Sequence, residues 1–148
     1  MTKLTGRHKA ARVLVVLGAV VLLVSAAMHG VAYLKIFSRT VGASNLQATF
    51  QSVCRVAFLL MAWDWIVIAV VALVATFGET QLRKALVWIC GLAILAETAL
   101  TIAFVGLFIG NELIGTAGLF LLVGGLLFER SNPPQPQPPK HVAQNEHA

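Results

Sequence analysis

Polar residues are so sparse from Val13 to Phe128 that the chain divides into four apolar runs, residues 13–34, 53–77, 85–108 and 113–128. A helix rises ~1.5 Å per residue, so the first three runs are each long enough to cross ~30 Å of hydrocarbon. The fourth is shorter and rich in glycine. The pattern predicts an all-α fold, a polytopic membrane protein built as a four-transmembrane-helix bundle. Residues 1–12 read as a basic tail, and residues 35–52 as the longest loop, with 46–52 forming a short interfacial helix into the second span. Residues 78–84 read as a tight polar turn and Gly110-Asn111-Glu112 as a hairpin-length turn. Residues 129–148 hold Pro133, Pro134, Pro136, Pro138 and Pro139 and read as a disordered Pro-rich tail, because proline fixes φ and donates no hydrogen bond.

The first run has a rival reading. A basic start, the apolar stretch 13–24 and the small residues Ser25-Ala26-Ala27 also match a signal peptide that would be cleaved after residue 27. The apolar stretch continues past that site to Leu34, which favours a retained helix.

Composition agrees with the pattern. Charged residues make up 11% of the 148-residue chain, against about 25% in soluble domains, and the mean hydropathy is +0.84. The polar ends and loops are each too short to bury a core, so no separate soluble domain is expected. The net charge of +5 is spread over tails and loops, where it encodes topology rather than nucleic-acid binding. Lysine and arginine number four in the N-terminal tail, two in the 78–84 turn and two in the C-terminal tail, against three (Lys35, Arg39, Arg55) on the opposite side. The positive-inside rule then places both termini in the cytoplasm of a multi-pass plasma-membrane protein. Cys54 and Cys90 have no metal-type spacing and fall at opposite helix ends, so neither a disulfide nor a zinc site is expected.

Three ionisable residues then stand out, one on each of the first three spans: His29, Asp64 and Glu97. In this topology they lie ~8, ~15 and ~18 Å below the outer boundary, depths that overlap within a turn or two. An ionisable group at such depth must face partners, water or a bound ion. Ser25, His29 and Tyr33 share a face of the first helix; Ala57, Met61, Asp64 and Ile68 share one on the second; Cys90, Glu97 and Thr101 share one on the third. The expected site is an outward-facing polar cluster of His29, Asp64, Glu97, Tyr33 and Arg55, binding a ligand or passing protons. Two carboxylates and an imidazole also suit a divalent metal. The plainer alternative is that they bond only to one another and fix helix register. Trp63 and Trp65 lie too deep for an interfacial belt and read as packing or lipid-facing groups, and Arg55 and Arg39 as side chains reaching the outer headgroups. Gly118 and Gly125 give the fourth helix a smooth face for close approach, in this chain or between copies.

No nucleotide, hydrolase, zinc-protease or haem motif occurs, and a lone intramembrane histidine cannot give bis-histidine ligation, so no cofactor and no enzymatic activity are expected. The segment His29-Gly30-Val31-Ala32-Tyr33, with the polar loop and aromatic-bearing second helix after it, resembles a group of small bacterial four-helix membrane proteins of unknown function; a more distant similarity is to the small DoxX-like membrane proteins. The resemblance implies an architecture and no activity. The expected function is a non-catalytic membrane protein that binds a partner or small ligand on its outer side. The alternative is a proton-coupled carrier acting as an oligomer, with Asp64 and Glu97 as coupling carboxylates.

Overall fold

The computed structural model describes residues 6–78 and 82–128. The Pro-rich tail, residues 1–5 and part of the 78–84 turn lie outside the described residues. Among the described residues four helices are formed: α1 (Gly6–Gly42), α2 (Ala48–Phe77), α3 (Arg83–Val105) and α4 (Ile109–Leu127). Each is long and apolar enough to cross a membrane. The protein is an all-α, four-helix multi-pass membrane protein. The helices alternate in direction and form a ring in which α4 packs on both α3 and α1, α1 on α2, and α2 least closely on α3.

Small residues make the ring possible. Lipid is as apolar as leucine, so helix association rests on van der Waals packing and close backbone approach rather than on burying apolar surface from water. Gly91 of α3 lies against the backbone of Leu122 and the carbonyl of Gly118, and Gly125 of α4 lies against the backbone of Trp88. A Cβ at Gly91 would meet the Leu122 amide nitrogen at 2.5 Å. On the other flank Gly18 of α1 faces the Ala117 carbonyl, and Gly124 faces Val15. The glycine face of α4 is thus consumed within the chain and is not open to a second copy. The large apolar side chains left over, among them Val20, Val70, Leu100 and Leu119, point away from the ring and are exposed on its outside.

Three boundaries differ from those the sequence pattern suggests. The polar stretch after residue 34 is not a long loop: α1 runs through a π-helical segment, Tyr33–Phe37, and on to Gly42, leaving only residues 43–47 between it and α2. Apart from one glycine, nothing in Lys35 to Gly42 opposes a helix; polarity there marks departure from hydrocarbon, not the end of the helix. The basic segment from Gly6 is likewise the first turns of α1 rather than a tail. Gly110-Asn111-Glu112 is not the turn between α3 and α4 but the start of α4. The turn is Gly106-Leu107-Phe108, where Gly106 adopts φ 97°, a left-handed conformation that favours glycine. Asn111 secures it, donating from Nδ2 to the Gly106 carbonyl at 2.7 Å.

At the opposite end Arg83 donates from Nε to the Ala75 carbonyl at 3.1 Å, and from Nη2 to the Gly78 carbonyl, closing the C-terminus of α2. Phe108 lines the same cavity as Ala32 and Phe58, so residues 33–42 of α1 and 48–57 of α2 continue beyond the α3–α4 turn. They rise roughly 15 Å past it at the helical repeat.

Candidate functional site

Between the four helices, at the level where α1 and α2 part from α3 and α4, lies a half-open cavity of about 350 Å³. Its wall is mostly apolar and aromatic, with Met28, Phe58, Met61, Trp65 and Phe108, and its polar groups are Ser25, His29, Thr101 and Asn111.

The geometry starts from His29 on α1. Its Nε2 lies 3.0 Å from the carbonyl oxygen of Phe58 on α2. A carbonyl only accepts, so Nε2 carries the proton, and in the neutral ring Nδ1 is left as a lone-pair acceptor. The imidazole stacks on the Phe58 ring at 3.7 Å between centroids, and Phe58 stacks in turn on Phe37 at 4.1 Å. Trp65 meets the imidazole edge-on at 5.0 Å. These contacts fix the ring at the cavity wall.

Trp65 carries the second link. Its indole N–H donates to Oε1 of Glu97 on α3 at 2.9 Å, and the residue is only 3% exposed. Trp65 therefore separates His29 on one side from Glu97 on the other. Glu97 is half-buried in the α2–α3 seam and does not line the cavity.

Two more cavity residues carry orphaned oxygens. Ser25 lies one helical turn before His29, is 8% exposed, and its Oγ has no hydrogen-bond partner. Asn111 is 2% exposed; its amide N–H is used on the Gly106 carbonyl, and its Oδ1 has no partner. Buried polar atoms are normally satisfied, so two orphans in one wall are an anomaly that a bound group or water would remove.

The expected convergence of His29, Asp64 and Glu97 does not occur. The inward face of α2 is Ala62, Trp65, Ala69, Ala72 and Ala75, one residue round from the face carrying Asp64. Alanines there let α2 approach its neighbours, and Trp65 fills the space they leave. Asp64 is consequently exposed on the outer surface of the bundle, with no hydrogen bond or ion pair to another described residue. Trp63 beside it is 60% exposed and faces outward. Among the described residues no group of three His, Cys, Asp or Glu side chains is placed to hold a metal ion.

Tyr33 stands in the π-helical segment above the cavity, its ring 6.1 Å from Phe58. Arg55 does not reach the cavity; its guanidinium lies against Gly42 at the C-terminal end of α1, where helix carbonyls favour a cation. Both cysteines are free, Cys90 buried and Cys54 partly exposed. Sequence reasoning placed Ser25 and His29 correctly on one face but passed over Trp65, Phe58 and Asn111 as site residues. The alanines at 62, 69, 72 and 75 were the signal for Trp65; an asparagine opening an apolar helix was the signal for Asn111. The chain matches no family model, no curated protein and no solved structure.

Proposed function

We propose that this is a non-catalytic integral membrane protein that binds a small lipophilic ligand in the cavity between its helices, from the outer side of the bilayer. The observation that carries the reading is the cavity itself: about 350 Å³, apolar and aromatic, with orphaned oxygens on Ser25 and Asn111 in its wall. Binding sites for small molecules have this character, a hydrophobic pocket with a few fixed polar groups. The lysine and arginine distribution supports both termini in the cytoplasm of a bacterial inner membrane, as does the resemblance to small bacterial four-helix membrane proteins. Retention of α1 is supported by its packing, since Val15, Leu22 and Ala26 belong to the core.

A proton-coupled carrier would need Asp64 and Glu97 beside the cavity, and neither lines it. An oligomer keeps one point in favour: Asp64 on the bilayer-facing surface is costly there and would be relieved against a second copy.

The test is saturable quenching by bromobenzene of Trp65 fluorescence in lipid nanodiscs, in a background with Trp63→Phe and Trp88→Phe. Saturation in that background and its loss on filling the cavity with Ala32→Phe are the expected outcomes. Quenching that rises linearly with bromobenzene in both proteins would reflect the bilayer alone and refute the site.

A further inference from the structure

The polar atoms left over in the cavity are not a random mixture, and their character restricts the ligand. His29 lines the cavity with its N–H engaged by the Phe58 carbonyl, so the nitrogen it has left for a ligand is Nδ1, a lone-pair acceptor. Asn111 has its side-chain N–H engaged by the Gly106 carbonyl, so what it has left is Oδ1, a pure acceptor. Ser25, one turn before His29, has an unpartnered hydroxyl that can give or take a hydrogen bond. Thr101 has its hydroxyl proton engaged by the Glu97 carbonyl at 2.9 Å and likewise retains only acceptor capacity. Among the described residues no lysine, arginine, aspartate or glutamate lines the cavity.

From this we infer that the cavity takes an uncharged, hydroxylated ring compound, one whose O–H donates to an acceptor-rich wall. A ligand lacking a donor would leave the asparagine oxygen unpaired in an apolar site, which is the costly outcome for a buried acceptor. A charged ligand would enter with no counter-charge and would lose its solvation. The aromatic side chains Phe58, Trp65 and Phe108 favour a flat body, since offset and edge-on ring contacts add to simple burial. The hydroxyl donates to His29 Nδ1 and its oxygen accepts from Ser25; a second donor on the ligand would satisfy Asn111.

This inference rests on the proposed cavity reading, and the experiment separates the two. The probes are 1-naphthol and 1-methoxynaphthalene, which share a ring system and differ in the donor. Both are titrated into the full-length protein in nanodiscs, with ¹⁵N-labelled histidine read by NMR and bromobenzene quenching as the control. The expected result is binding of 1-naphthol at least about tenfold tighter than the methyl ether. It comes with a shift of the His29 Nδ1 resonance for the naphthol only. Ser25→Ala, which leaves His29 and its partner in place, is expected to weaken both naphthalenes several-fold while keeping the preference for the naphthol and the bromobenzene quenching.

Equal affinity for the two probes, or an unmoved Nδ1 resonance, overturns the inference while leaving the apolar cavity standing. Failure of both naphthalenes with bromobenzene quenching intact also overturns it. Loss of bromobenzene quenching as well removes the cavity reading on which it rests.

Discussion

The indole N–H of Trp65 donates to the carboxyl group of Glu97 at 2.9 Å, across the seam where α2 and α3 pack least closely. The bond joins two helices at a point where few apolar contacts do. It also explains why a carboxylate is tolerated in α3: Glu97 is half-buried but not orphaned. Glu97→Leu leaves the indole N–H unpaired and is expected to lower stability by about 1–3 kcal/mol. Glu97→Gln keeps an acceptor and is expected to cost less. A double-mutant cycle with Trp65→Phe, read from unfolding in mixed micelles, should return a coupling of about 1 kcal/mol; additivity would mean that the bond contributes nothing.

Asp64 is expected to behave in the opposite way to its neighbour. It is exposed beside Trp63 on the bilayer-facing side of α2 and bonds to no described residue. Asp64→Leu should therefore preserve the fold and improve membrane insertion of α2 by about 3 kcal/mol, the cost assigned to an aspartate near a span's centre. Trp65→Ala, one residue on, empties a core position and should cost about 3–5 kcal/mol. Measuring both in one insertion and unfolding series checks the rotation of α2; a large loss from Asp64→Leu would place the carboxylate inside.

Close packing of α3 on α4 depends on Gly91. A Cβ there would meet Leu122 backbone at 2.5 and 2.8 Å, and backbone cannot step aside. Gly91→Val is expected to push the helices apart and to lose folded protein in size-exclusion profiles. Gly30→Val, at a glycine with open space around it, should be well tolerated.

The turn between α3 and α4 makes a sharper prediction. Asn111 bonds to the Gly106 carbonyl and also walls the cavity. Asn111→Ala should cost about 1–3 kcal/mol through the unpaired carbonyl and loosen the cavity mouth. Faster amide exchange at residues 106–111 is the measurement. Gly106→Ala, forced to φ 97°, should cost about 1 kcal/mol and show the same local signature.

Cysteine labelling tests the topology without any new residue. Cys54 lies in the part of α2 that continues past the α3–α4 turn and is partly exposed, while Cys90 is buried. A membrane-impermeant maleimide added outside intact cells should modify Cys54 and spare Cys90. Labelling of Cys54 only after permeabilisation would reverse the orientation.

By itself the sequence determined the class of the protein and the number of its spans, because four uninterrupted apolar runs have no other stable home than a bilayer. It also put Ser25 and His29 on one face, since a spacing of four is a property of the helix alone. Tertiary structure decided the rest. In water the inner face of a helix is marked by a stripe of apolar residues, but here lipid and core are equally apolar and the stripe is erased. That is why the rotation of α2, and with it the exchange of Asp64 for Trp65 on the inside, could be settled only by which small residues let the helices meet. Helix ends followed the same logic. Polarity from Lys35 onward records where α1 leaves hydrocarbon, whereas its actual end at Gly42, and the turn at Gly106, were set by backbone geometry and by the hydrogen bond that Asn111 makes.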